Sequence, residues 1–171
     1  MNWEPFVLAP TGEYSDSPRS IQSLEGIGDR LRAAAFAEIQ AREAFLWAAD
    51  RFDDATPELK QAWRSLAKAE DKHLHWLLDR MTELKISVSD RRVSDRLFLS
   101  LMSCKTAREF ALFMAGAEER GQRAGQRFHQ NLLTIDPITA KIFEKIAEEE
   151  TAHIALASRH FPETSFEFKA V

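Results

Sequence analysis

One cysteine, one tyrosine, six glycines and six prolines are spread over 171 residues, and each scarcity closes off a class of protein. A lone Cys104 can form neither an internal disulfide nor a cysteine-rich metal site of the rubredoxin type, so the core must hold the fold and a reducing, cytoplasmic setting is expected. The only tyrosine, Tyr14, lies in a proline-containing N-terminal stretch, which argues against tyrosyl radical chemistry. No glycine-rich phosphate loop is present, and no grouping of serine, histidine and aspartate suggests nucleophilic catalysis. There is neither a lysine-flanked apolar leader nor a run of about 18 apolar residues, so no export and no membrane span are expected. Basic character is missing too. A net charge of -4 offers no general attraction to nucleic acid and leaves only a local basic patch to supply one.

What is there suits long helices: alanine, glutamate, leucine and arginine dominate, and the length is that of one domain able to bury a core. Residues 1–19, with Pro5, Pro10, Gly12 and Pro18, read as an extended arm tacked down by Trp3, Phe6 and Leu8. Residues 20–162 read as a helical bundle and 163–171 as a frayed tail. The first long helix is expected from about Ser23 to Phe52, with Leu31, Ala34, Ala35, Ala41, Phe45, Ala48 and Phe52 in one stripe, and with Gly26 and Gly28 loosening its first turns. Thr56-Pro57-Glu58 starts a second helix that reaches about Leu84. A broken stretch from Lys85 to Lys105 carries a short extra helix through Val93, Leu97, Phe98 and Leu101. Thr106 to Glu109 is then a capping box for a third long helix to about Leu132, and Asp136-Pro137 opens a fourth to about His160. Two helical hairpins joined by some 20 residues predict an all-α four-helix bundle with one long crossover between the second and third long helices.

The apolar stripes are interrupted by acids. Glu70 and His73 sit among Trp63, Leu66, Ala67, Leu74, Leu77 and Met81, and Glu150 and His153 among Ile142, Phe143, Ile146, Ala147, Ile154 and Ala157. Glu38 precedes Glu70 by the same 32 positions that separate Glu118 from Glu150, so each hairpin repeats one plan: a glutamate, then Glu-x-x-His. Residues three apart lie about 60° apart around a helix, so each Glu-x-x-His pair can hold a metal ion, with Glu38 and Glu118 completing or bridging the site. Four carboxylates and two neutral imidazoles around two divalent ions sum to zero charge, which makes burial of so many acids tolerable. Hard oxygen donors with one nitrogen per metal favour two iron ions, or manganese or a mixed pair, over structural zinc.

Glu43 competes with Glu38 because it too lies among apolar residues, about 140° away around the helix; the matched spacing favours Glu38. Glu119 and Glu149 fall one position off their stripes and read as solvated or supporting groups. His75, His129 and His160 read as surface or capping residues, and Trp47, Trp63 and Trp76 as core or rim packing. Arg120, Arg123 and Arg127 read as a solvated face, whereas Gly121 and Gly125 lie on the ligand face, where they allow close packing or leave room for dioxygen and a small substrate.

This ligand plan resembles that of the ferritin-like di-iron carboxylate proteins, over roughly Ser23 to Phe161. Ala37 to Arg42 looks like the first helix of rubrerythrin. The run Glu38 to Phe52, Ala69 to Leu74, Glu118 to Gly121, and Glu149 to His153 with Ser158 to Phe161 are similar to an uncharacterised bacterial ferritin-like family, itself related to a non-haem di-iron tRNA hydroxylase. The resemblance implies metal ligands Glu38, Glu70, His73, Glu118, Glu150 and His153. The leading expectation is an oxygen-activating oxidase or hydroxylase acting on a small organic molecule, with dioxygen as co-substrate and electrons from a separate reductase. Ferroxidase or iron-storage activity is the rival, a structural bundle that keeps metal ligands without turnover a third reading, and a tRNA-modifying hydroxylase a further one by analogy; the sequence leaves the assembly open, a homodimer among the alternatives.

Overall fold

In the computed structural model, which describes residues 3–162, every long helix begins where a side chain can cap it. Helix α1 (Leu24–Arg51) starts after Ser23, whose hydroxyl accepts from the Gly26 amide; α2 (Pro57–Glu83) starts after Thr56, which accepts from Leu59 N, with Pro57 in the first turn. A 3₁₀ turn (Val88–Asp90) and the short α3 (Arg96–Met102) follow, then α4 (Ala107–Leu132) and α5 (Pro137–His160). Thr106 caps α4 by accepting from Glu109 N. The capping box is displaced, however: Glu109 accepts from the Lys105 amide rather than from the cap residue itself. The expected tail from residue 163 lies outside the described residues.

Helix α2 ends in a left-handed residue that is not glycine. Lys85 has φ 57°, with Lys85 N donating to Thr82 O and Ile86 N to Met81 O, the paired bonds of a Schellman cap. Ile86 and Met81 then join the same apolar cluster.

The connection that follows runs back along the whole of α1. Ile86 meets Gly28, Arg32 donates to the carbonyls of Ser87 and Val88, Phe98 N donates to Gln40 Oε1, and Ala107 N donates to Asp54 at the far end. That series of contacts is the crossover, and it sets α4 parallel to α2. At the opposite end Arg80 of α2 bonds Asp136 and Thr139 at the start of α5. The bundle is therefore the expected four-helix architecture with one crossover and a short extra helix.

Two features depart from expectation. The arm is not merely laid on the surface: Val7–Leu8 (β1) pairs in parallel with Arg92–Val93 (β2), a two-stranded bridge between arm and crossover. Trp3 and Phe6 are buried, and Trp3 packs edge-on against Phe36 and Phe98. Nor do Gly26 and Gly28 loosen α1. A Cβ on Gly26 would run into the Ser20 carbonyl, and one on Gly28 would lie 2.8 Å from Ile86 Cγ2, so both glycines admit close approach of the chain.

The core is split into two apolar slabs. One gathers Phe45, Phe52, Trp63, Phe110 and Leu101; the other gathers Leu31, Phe36, Leu77, Met81, Leu132 and Phe143. Between them, at mid-height on all four long helices, lies a layer of acids and histidines. No helix among the described residues is long and apolar enough to cross a membrane.

Candidate metal centre

Each long helix delivers its polar side chain to the same level because each stripe carries it at the midpoint. Glu38 comes from α1, Glu70 and His73 from α2, Glu118 from α4, Glu150 and His153 from α5. Glu70 and His73 are fully buried, Glu150 is 3% exposed and Glu38 9%.

All six sequence-predicted residues converge, in two overlapping groups. Glu38, Glu70, His73 and Glu150 bring one ligand atom each within 4.8 Å of one another, and Glu70, Glu118, Glu150 and His153 do the same. Glu70 and Glu150 belong to both groups. Glu38 and Glu118 belong to one group each. The histidines face inward through Nδ1: His73 Nδ1 lies 3.4 Å from Glu150 Oε1 and 3.7 Å from Glu38 Oε2, and His153 Nδ1 lies 2.8 Å from Glu70 Oε1.

Whether these residues suit a cation can be tested on their unmet valences. Among the described residues, the buried side-chain atoms that make no well-aligned hydrogen bond are Glu70 Oε1 and Oε2, Glu150 Oε1 and Oε2, Glu118 Oε1, and Nδ1 of His73 and His153, and their close polar neighbours are other members of the same cluster. Every one belongs to this cluster. Polar atoms without a well-aligned partner are costly anywhere else in a core, and hard oxygens with one imidazole per group are the donors that divalent iron or manganese accepts.

The electrostatics agree. Burial, followed by the charges of Glu70 and Glu150, pushes the Glu38 carboxyl well above its ordinary range against the pull of His73; burial with Glu150 and Glu70 does the same to Glu118. Burial opposes the ionised forms of Glu70 and Glu150, yet the two imidazoles hold Glu70 below its usual value and Glu150 at about 2. Burial likewise disfavours the imidazolium, yet the surrounding carboxylates drive His73 up to about 12 and His153 to about 10. Protons on Glu38, Glu118, His73 and His153 therefore make the cluster neutral, and two divalent cations in place of those four protons would do so equally.

Glu43 points elsewhere. It accepts from its neighbour Arg42 at 2.8 Å and stays partly exposed, as the 140° offset requires. Glu119 pairs with Arg123 on the surface. Of the two readings for Glu149, solvated or supporting, the contacts fit the second: its Oε2 lies 2.8 Å from His73 Nε2 and accepts from Lys72 Nζ at 2.6 Å, so it fixes the ring whose other nitrogen faces the cluster. Trp76 packs against His73, ring centroids 5.5 Å apart, with Lys72 over its face. His75 is exposed, and His129 bonds the Ala140 carbonyl between α4 and α5.

Beside the cluster, between α1 and α4, is a cavity of about 280 Å³. Glu38, Glu118 and Glu150 line it together with alanines of both helices, Gly121 and Gly125 of α4, Phe128, Phe143 and, from the short α3, Leu97. The contribution of α3 could not be inferred from spacing, because it depends on the path of the crossover. Gly121 has open space where a Cβ would stand, which is the roomy alternative of the two its position allowed.

Comparison with solved structures finds the bacterioferritin-related protein from Bacteroides fragilis, described as a dodecameric thioferritin. It has a TM-score of 0.69 and 16% identity, over 82% of this chain and 87% of that one. The likeness establishes a ferritin-like fold. No curated protein matches. A family profile matches residues 7–167, nearly the whole bundle with its arm, and the chain accordingly belongs to the family described as "Protein of unknown function (DUF455)".

Proposed function

We propose that the six-residue cluster binds a pair of iron ions, with manganese or a mixed pair as substitutes, and that the protein uses dioxygen to oxidise an organic molecule held beside them. The observation that carries this reading is the cavity that opens on Glu38, Glu118 and Glu150, because a centre serving only to cross-link helices needs no adjoining space. When bound, a ferrous pair supplies two electrons to dioxygen. The chain's own part is to hold and insulate. Glu70 and Glu150 span both groups, the Nδ1 atoms of His73 and His153 face inward, and Glu149 keeps the His73 ring in register. The apolar slabs above and below exclude water. Hydroxylation of a C–H bond consumes one dioxygen, the two electrons a ferrous pair would supply and two protons, and yields alcohol and water, so repeated turnover requires a separate electron-donating protein to return those two electrons.

Rapid mixing of the anaerobic ferrous protein with oxygenated buffer tests the reading. A ferric absorbance that rises faster than in free iron is expected; its absence sinks the proposal. Iron oxidation for storage is the second reading, favoured by the fold neighbour, itself a dodecamer. Storage requires a closed many-subunit shell, so a monomer or dimer on a sizing column removes it.

A further inference from the structure

The cavity between α1 and α4 is chemically one-sided. Among the described residues, fourteen of the seventeen that line it are apolar, the other three are glutamates, and no arginine, lysine, histidine, serine or threonine side chain faces it. Glu150, 3% exposed, lines it with neither carboxylate oxygen in a well-aligned hydrogen bond, and Glu38, 9% exposed, lines it from α1. The space is thus a hydrocarbon-walled slot that ends on buried acids.

Resting on the proposed oxidation site, we infer that this slot takes an uncharged, hydrocarbon portion of the substrate and excludes carboxylate or phosphate groups. An anionic group inside would meet three carboxylates and, among the described residues, no cationic side chain, so nothing in the wall could compensate its lost hydration. At about 280 Å³, the slot falls just below the range of about 300–1,000 Å³ usual for small-molecule sites. It therefore suits a slim chain rather than a ring system bearing polar groups. Its width is set by side chains that are absent: Gly121 on α4 has nothing within 4 Å of where a Cβ would stand, and Ala37 lines the slot from α1.

Calorimetric titration of the anaerobic, iron-loaded protein with 1-octanol and with octanoate tests the inference. The alcohol is expected to bind, and the carboxylate to bind about a hundredfold more weakly. Gly121→Leu and Ala37→Leu should each weaken 1-octanol binding about tenfold or more by filling the slot, with metal content and melting temperature retained, since leucine is a better helix former than glycine and close to alanine. Failure of the wild-type protein to bind 1-octanol, octanoate binding as tightly as the alcohol, or alcohol binding that survives both substitutions overturns the inference. Intact alcohol selectivity in a protein that does not react with dioxygen would remove the oxidase reading and leave this one standing.

Discussion

His73 and Glu149 are joined on the outer side of the cluster: Nε2 of the imidazole lies 2.8 Å from Glu149 Oε2, while Nδ1 points at Glu38, Glu70 and Glu150. A carboxylate behind a ligating histidine selects the tautomer and raises the basicity of the inner nitrogen. Glu149→Ala should therefore lower iron affinity roughly 10–100-fold, and Glu149→Gln, which keeps an acceptor at the same place, by less than about tenfold. Competitive metal titration measures both. Equal affinity in all three proteins would show Glu149 to be only a surface partner of Lys72.

Glu38 and Glu43 make a paired test of the ligand set. Glu38→Ala removes a donor that one group cannot replace and should cost roughly half or more of the bound metal. Glu43→Ala breaks a partly exposed pair with Arg42 and should leave metal content unchanged and stability within about 1 kcal/mol. Elemental analysis of the purified variants decides it; metal lost from Glu43→Ala and kept in Glu38→Ala would reverse the assignment.

Metal uptake should displace protons and stabilise the bundle. The carboxylates hold protons on His73 and His153 up to about 12 and 10, and burial holds them on Glu38 and Glu118, so iron affinity should weaken steadily as pH is lowered. At ferrous iron about 100-fold above its dissociation constant, stabilisation is about 2.7 kcal/mol, or roughly 5–10 °C in melting temperature for a domain of this size. Anaerobic thermal melts with ferrous ion or with chelator give the answer, and coincident melts would count against a cation site.

Away from the centre, burial would raise the carboxyl of Asp29, but bonds from Arg19 and Arg32 hold it down at about 2. A depressed folded value means that the contribution, about 2 kcal/mol, is complete above the unfolded value near 4 and is lost as pH falls towards 2. Asp29→Asn should accordingly be less stable than wild type at neutral pH, with the gap narrowing below about pH 4. Denaturant titrations across that range report it. A gap that widens on acidification contradicts the sign.

Lys85 adopts a left-handed conformation at the end of α2, φ 57°, where a side chain costs about 1 kcal/mol. Lys85→Gly should recover about that much in equilibrium unfolding, and a loss of stability would indicate a role for the lysine side chain.

The four long helices were legible because their signals are local. Ser23, Thr56, Thr106 and Asp136 each cap within three residues of their own position, and the 3.6-residue stripes run uninterrupted apart from the acids. The six converging residues were legible for a related reason: an acid repeated at one spacing inside an apolar stripe has few other places to go. What stayed hidden depends on distant segments meeting. The pairing of Val7–Leu8 with Arg92–Val93 joins residues 85 positions apart, Gly26 and Gly28 are small because Ser20 and Ile86 press on them, and which of its two readings Glu149 takes depends on Lys72 and His73 of another helix coming beside it.

Sequence alone determined the helix content, the crossover topology and the identity of the inward-facing acids, since periodicity, capping and matched spacing are properties of a single segment or of two compared. Only the tertiary structure decided that Glu70 and Glu150 are shared between two groups, that Glu149 backs His73, and that a hydrocarbon slot adjoins the acids. Those outcomes are distances between helices, and distances between helices are set by how two apolar slabs pack, which no one-dimensional pattern encodes.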